Sequence, residues 1–102
     1  MHQIVAERRQ EIERLCRRHQ VRRLELFGSA TGARFDPVRS DVDFLVQFHP
    51  LEGRAYLDAY FGLLNDLESL FSRHVDLLAD PKVRNPYLRE SIEQSRQLIY
   101  AA

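Results

Sequence analysis

Apolar residues recur with a helical period at the start of the chain. One stripe contains Ile4, Val5, Ile12, Leu15 and Cys16. Spacing of three and four residues is typical of an amphipathic helix, so the pattern predicts a first helix over about residues 3–18 with Cys16 on its buried face. The arginines mostly lie off this stripe, and they form either a solvated face or a basic surface for an acidic partner.

Three later segments have the pattern of β-strands. Polar and apolar residues alternate over residues 21–27, and Gly28-Ser29 ends this run. The second predicted strand covers residues 41–46 and the third covers residues 74–78; both are short apolar runs bounded by turn residues. The segment between the first two strands is predicted as a loop with room for one helical turn.

Two further helices are predicted in the second half of the chain. Eight apolar residues recur at helical spacing: Tyr56, Leu57, Tyr60, Phe61, Leu64, Leu67, Leu70 and Phe71. They predict the longest helix over about residues 54–71, with its aromatic side chains in the core. Asp80-Pro81 is predicted to end the third strand. Asn85 as N-cap and Pro86 at the first helical position then predict a last helix to about residue 98.

This order of elements predicts a small α/β (α+β) domain. About four helices pack on a short mixed sheet of three strands, with four strands as the alternative. A chain of 102 residues has the length of one domain, so residues 1–102 are predicted to form a single unit. A three-stranded sheet is close to the smallest that supports a core, and burial by a partner would therefore help it.

Composition and charge exclude several classes of protein. No apolar run approaches the roughly 20 residues of a membrane-spanning helix, and Glu7, Arg8 and Arg9 stand where a signal peptide would be apolar, so we expect a cytoplasmic protein. The lone Cys16 excludes an internal disulfide and a cysteine-based zinc site. The 15 basic and 15 acidic residues give a net charge of zero, and direct nucleic-acid binding is not expected because it depends on phosphate neutralisation.

Three acidic residues lie in strands that are otherwise apolar. Asp41 and Asp43 are two residues apart, so their side chains are predicted on the same strand face with Cα atoms about 6.6 Å apart. Asp76 lies in the third strand between Val75 and Leu77. Carboxylates so placed repel each other, and desolvating either costs several kcal/mol. One alternative stays open for each acid alone, namely that Asp41 caps a turn and the other two face water.

A divalent cation would compensate all three carboxylates at once. Mg²⁺ prefers oxygen ligands and leaves positions open for phosphate. Two such ions clamp the attacking and leaving oxygens of a nucleotidyl transfer. Asp41 and Asp43 would bridge both ions, and Asp76 would complete the ion that holds the attacking hydroxyl and accept its proton.

Gly28-Ser29 precedes this Asp-x-Asp motif by 12 residues. A glycine that ends a strand lets a phosphate approach the backbone, and a serine at a helix start offers a hydroxyl and an amide. The pair alone is a weak signal, since an ordinary strand end with Ser29 as N-cap has the same residues. With the acids on the neighbouring strand it becomes a strong signal for a phosphate-binding turn.

These motifs resemble a known family. The segment LELFGSATGARFDPVRSDVDFLVQF, the third acid in HVDLL and the tail VRNPYLRESIEQSRQLIYAA are similar to the minimal nucleotidyltransferases of the DNA polymerase β superfamily. Many of these small proteins are antitoxins paired with a HEPN-domain ribonuclease toxin. The resemblance covers nearly the whole chain and implies the nucleotidyltransferase fold.

The resemblance also implies an activity. ATP would be the donor, with two Mg²⁺ ions as cofactor, and AMP would be transferred to a tyrosine hydroxyl of the toxin, as in a type VII toxin–antitoxin pair. Gly28 and Ser29 would hold the triphosphate, Asp41 and Asp43 would hold metal, and Asp76 would hold metal and activate the nucleophile. The cognate toxin would be the protein partner in a hetero-oligomer.

Other interpretations stay open at this point. The family commonly has Gly-Ser-x-Ala-Arg-Gly, whereas Gly32 stands here at the usual arginine position and Arg34 lies two residues later. An antitoxin that acts by contact alone, or a nucleotidyltransferase for a small molecule such as an aminoglycoside, are the rival functions. His74 is either a polar strand-end residue or a substrate contact.

Overall fold

A computed structural model of the chain describes residues 1–79 and 84–102. The predicted break at Asp80-Pro81 lies outside these residues. The elements in chain order are α1 (Gln3–Ala6), α2 (Arg9–Arg18), β1 (Val21–Phe27), a 3₁₀ helix (Gly28–Thr31), β2 (Val42–Phe48), α3 (Gly53–Phe71), β3 (Val75–Ala79), α4 (Pro86–Ser95) and β4 (Gln97–Ala101). None of the described helices is both long enough and apolar enough to cross a bilayer.

One mixed sheet contains all four described strands, in the order β3-β2-β1-β4. β1 pairs antiparallel with both β2 and β4, while β2 and β3 run parallel and are joined through α3. A parallel pair needs such a crossover, and a 19-residue amphipathic helix supplies it. The predicted α+β class with a mixed sheet is confirmed, and the four-stranded alternative is the right one.

The main core lies between one face of the sheet and the helices α2 and α3. It includes Ile12, Cys16, Leu24, Phe44 and Leu67, none of which is exposed to solvent. The other face is only partly covered: a smaller cluster of Phe27, Leu45 and Ile92 packs α4 against it. The polar residues of β2 and β3 lie on this less covered face, because side chains alternate along a strand.

The predicted first helix is wrong in its continuity. The structure has two helices, α1 and α2, separated at Glu7 and Arg8. The amide of Arg8 donates to the Val5 carbonyl three residues earlier, so the α-helical ladder is interrupted there. The break turns the start of the chain toward the 3₁₀ helix, where the His2 amide donates to the Ala30 carbonyl at 2.7 Å.

The predicted last helix is too long. It begins as expected, with Asn85 accepting from the amides of Tyr87 and Leu88, but it ends at Ser95. After Arg96, residues Gln97–Ala101 form β4 on the other edge of β1, and Ile99 is buried there. Ile92 and Ile99 are seven residues apart, a spacing that two helical turns satisfy equally well, and only the pairing with β1 decides between helix and strand.

The predicted core position of the aromatic stripe on α3 is only partly right. Phe71 is buried, but Phe61 is 53% exposed. Tyr60 packs at the edge of the core and donates its hydroxyl to the Leu77 carbonyl.

Candidate active site

The predicted acids meet where β2 and β3 begin. Asp43 is directly paired with Asp76 in the parallel register of these strands, and on its other side it faces Phe27 at the end of β1. Asp41 lies just before β2, not inside the strand as predicted, and its side chain is exposed. Ligand atoms of Asp41, His74 and Asp76 all lie within 4.8 Å of one another. The fold therefore gathers all three acids and adds a histidine.

Asp43 has the most perturbed carboxyl group of this cluster. Burial raises its pKa from 3.8 to about 7, and a hydrogen bond with Asp76 and repulsion from Asp76 and Asp41 act in the same direction. The cluster therefore holds more negative charge than its protein surroundings compensate, as carboxylates that share a site do. Such perturbed groups mark functional sites more often than chance.

His74 contacts two carboxylates from opposite sides. Its Nε2 lies 2.9 Å from Asp76 Oδ1, and its Nδ1 lies 3.4 Å from Glu68 Oε2 on α3. The hydrogen bond with Asp76 and the surrounding acids raise the pKa of His74 above its ordinary value. Glu68 also accepts the Val75 amide at 3.3 Å, so α3 fixes the start of β3 and the orientation of this imidazole.

Gly28 is required by the acid cluster itself. Its φ of +75° belongs to the left-handed region, and a Cβ on it would lie 2.4 Å from Asp43 Oδ2. The sequence assigned this glycine to the close approach of a phosphate; in the structure, the group that approaches it closely is the Asp43 carboxyl. The Gly28 amide donates to Ser95 Oγ of α4 at 3.0 Å.

A cleft of about 580 Å³ lies at the end of β1, and its lining residue Gly28 is the one that lies against Asp43. It is lined by Gly28, Ser29, Thr31, Gly32, Ala33, Arg34, Ser91 and Ser95. Arg34 therefore shares a cleft with the predicted triphosphate residues although Gly32 occupies the family's arginine position. Ser91 and Ser95 were missed by sequence reasoning; their only signal is a four-residue spacing, which places both on one face of α4.

A second and larger cavity lies at the opposite end of β2. It measures about 640 Å³, is mostly apolar and is lined by residues such as Phe48, Leu51 and Tyr56. None of the three acids borders it, so its size alone does not make it the reactive site.

The acid cluster fits a divalent cation. Oxygen atoms of Asp41 and Asp76 are close enough to share one ion, and Asp43 lies beside Asp76 with a carboxyl that holds its proton unusually tightly. No arginine or lysine in the described part of the chain forms an ion pair with these three acids. Hard oxygen donors of this kind are the ligands of Mg²⁺.

Known proteins show the class to which this fold and this cluster belong. The family model of the nucleotidyltransferase domain matches residues 8–99. The chain therefore belongs to the nucleotidyltransferase family, and its enzyme class is that of a nucleotidyltransferase.

Three more specific similarities accompany the family match. The chain is 32% identical over 99 residues to the putative protein adenylyltransferase MJ1379 of Methanocaldococcus jannaschii, covering 88% of this chain and 94% of the relative. A solved structure of a putative minimal nucleotidyltransferase is 34% identical, with a TM-score of 0.69 and 95% coverage of both chains. A third match is a solved structure of a tri-AMPylated Shewanella oneidensis HEPN toxin in complex with MNT antitoxin. It is 18% identical with a TM-score of 0.65, and the match covers 95% of this chain and 72% of that chain. At this identity the likeness shows a shared fold. The minimal-nucleotidyltransferase resemblance is confirmed.

Proposed function

We propose that this nucleotidyltransferase is a cytoplasmic protein adenylyltransferase that transfers AMP from ATP to a tyrosine hydroxyl of a cognate HEPN ribonuclease toxin. It would thereby act as the antitoxin of a type VII pair. The observation that carries this proposal is the meeting of Asp41, Asp43 and Asp76 beside the Gly28–Ser29 turn. A relative named as a protein adenylyltransferase and a structural neighbour in an AMPylated toxin complex support the choice of substrate.

The triphosphate would lie along the cleft at the end of β1. Ser29 and the exposed Arg34 line this cleft and offer a hydroxyl and a positive charge to the β- and γ-phosphates. Ser91 and Ser95 border it from α4 and offer two more hydroxyls. This placement brings the α-phosphate next to the acids, because Gly28 and Asp43 are in direct contact.

The transfer forms one bond and breaks one. The acceptor oxygen attacks the α-phosphorus, the bond between that phosphorus and the bridging oxygen breaks, and pyrophosphate leaves. Asp76, whose side chain is 48% exposed, would accept the hydroxyl proton as general base.

Two Mg²⁺ ions would be held by the same carboxylates. Asp41 and Asp43 would bridge them, and Asp76 would bind the ion on the acceptor side. Bound there, the ions would neutralise charge that develops on the transferring phosphoryl group and the leaving pyrophosphate.

The variant Asp76→Asn tests this proposal. We expect AMP transfer to fall by about 10²- to 10⁴-fold, the usual contribution of a positioned general base. ATP binding should remain largely intact because Asp41 and Asp43 are unchanged. Labelled-AMP transfer to the co-encoded toxin, calorimetry with Mg²⁺ and ATP, and co-purification of the pair measure the three properties on one preparation.

Asp58→Asn is the matched control, since the same chemical change falls on a side chain of α3 that is 72% exposed. It should leave transfer, ATP binding and toxin binding unchanged. If Asp76→Asn still neutralises the toxin fully without transferring AMP, the enzymatic function is wrong and the protein neutralises its toxin by binding.

A further inference from the structure

Arg73 ties the segment before Asp41 to the start of β3. Its Nη1 donates to the Ser40 carbonyl at 3.1 Å, and its Nη2 donates to the Pro37 carbonyl. Arg73 precedes β3 by two residues, so one guanidinium joins the strand that carries Asp76 to the loop that ends at Asp41. No sequence motif singled out this residue, and neither the family match nor the proposed chemistry uses it.

The loop that Arg73 holds has its own internal structure. Asp36 Oδ1 accepts the amides of Val38 and Arg39, and the Asp36 amide donates to Ser40 Oγ at 2.9 Å. These bonds make residues 36–40 a compact turn. Asp41 lies between this turn and β2, so the pairing of Val42 with Val75 fixes one side of it and the anchor of the turn fixes the other.

The Arg73 guanidinium packs on an aromatic ring. The guanidinium carbon of Arg73 lies 5.1 Å from the centre of the Phe35 ring, and Phe35 is buried against His2. The Arg73 Nε is also buried, without a hydrogen-bond partner among the described residues. Burying a donor without a partner opposes folding and reduces what the two hydrogen bonds and the ring contact contribute to stability.

We propose that Arg73 is a positioning residue that holds Asp41 in register with Asp76 for metal binding. This inference rests on the proposed function, because it assumes that these two acids share a divalent cation. An unanchored turn would let Asp41 move relative to β3, and the ion would lose a ligand whenever it did. Arg73 itself forms no ion pair with the acids in the described part of the chain, so it acts through the loop backbone.

The test measures metal binding directly and not only transfer. The dissociation constant of Mn²⁺, followed by the electron paramagnetic resonance of the free ion, is determined with a non-hydrolysable ATP analogue present. Arg73→Met keeps an apolar stem on Phe35 and removes both donors, and we expect it to weaken Mn²⁺ binding at least about tenfold. Saturating metal should restore part of the transfer rate, since the defect is one of ligand position.

Three further variants separate positioning from other roles. Arg73→Lys keeps the charge but replaces the planar guanidinium, which donates from two nitrogens, by a single ammonium group. It should therefore recover only part of the affinity for Mn²⁺. Ser40→Ala leaves Arg73 intact and loosens the same turn from within, so it should weaken Mn²⁺ binding in the same direction. Arg54→Met, on a side chain that is 91% exposed, should change nothing.

The outcomes are distinguishable. If Arg73→Met is folded and binds Mn²⁺ as tightly as the unchanged protein, or if Arg73→Lys restores full affinity, the positioning role is wrong. If Arg73→Met does not fold, Ser40→Ala decides, and unchanged affinity in that variant overturns the inference. If the unchanged protein binds no Mn²⁺ with the ATP analogue, the proposed function fails first, and the inference fails with it.

Discussion

Replacing Asp43 by asparagine should stabilise the metal-free protein above neutral pH. The carboxyl is half-buried, contacts Asp76 and has a pKa raised to about 7. A group whose pKa is higher in the folded state binds its proton more tightly there, so the folded state loses stability as pH rises from about 4 toward 7. Asparagine keeps the shape and cannot ionise, so the variant avoids this loss.

The size of the gain follows from the same pKa. A rise from 3.8 to about 7 corresponds to about 4 kcal/mol when fully expressed, at 1.36 kcal/mol for each pKa unit. Because the side chain is only half-buried, screening by water reduces the expected gain to about 1–2 kcal/mol at pH 8. The loss begins only near the unfolded value of 3.8, so at pH 4.5 most of it has not yet developed and the two proteins should differ much less than at pH 8.

Urea denaturation followed by circular dichroism, in chelator at pH 8 and at pH 4.5, measures the difference. Asp58→Asn serves as the control, because its carboxylate is exposed and should give no change at either pH. An Asp43→Asn protein that is no more stable at pH 8, or that gains equally at both pH values, would refute the account of charge repulsion in the cluster.

Two further substitutions test how the fold is held. Glu25→Gln should cost about 3 kcal/mol, because the Glu25 side chain is 5% exposed and accepts from Arg96 at 2.6 Å and 2.7 Å. The variant would leave Arg96 with the more exposed Glu93 as its ion-pair partner. In urea titrations that cost should be fully present above about pH 4.5 and should shrink as pH falls from there through the lower folded pKa of Glu25, which Arg96 holds below its usual value. Gly28→Ala should lower the free energy of unfolding by about 2 kcal/mol in the same assay, because the backbone has a positive φ there and the added Cβ would meet Asp43. Unchanged stability would show that the turn relaxes around the methyl group.

The spacing of apolar residues was sufficient to predict the elements that are defined by residues close in sequence. The 19-residue α3 was predicted within one residue at its start and correctly at its end, because its apolar stripe spans five turns. The break between α1 and α2 was not predictable in this way. It depends on hydrogen bonds from the first two residues to the 3₁₀ helix, whose partners are about 30 residues away in sequence.

The candidate site could be predicted only in part, because it too depends on contacts between residues that are distant in sequence. The two-residue spacing of Asp41 and Asp43 is visible in the sequence, and so is the isolated Asp76. The register that sets Asp43 beside Asp76 is a property of a parallel pair formed across α3, and hydrophobic patterns do not specify it to one residue. Ser95 and Arg73 reach the site through contacts that only the assembled sheet creates.

The distribution of ion pairs supports the proposed cation site. The buried Glu25 is held by Arg96 at 2.6 Å, whereas the basic neighbour of the cluster is His74, which lies 2.9 Å from Asp76 and forms no ion pair with Asp43 among the described residues. Arg73 precedes the acid strand and could have neutralised the cluster, yet it donates to backbone carbonyls instead. A chain with as many basic as acidic residues does not lack charge for this purpose. An arginine on these carboxylates would satisfy them permanently and close the site, whereas a cation that arrives with the nucleotide satisfies them only when substrate is bound.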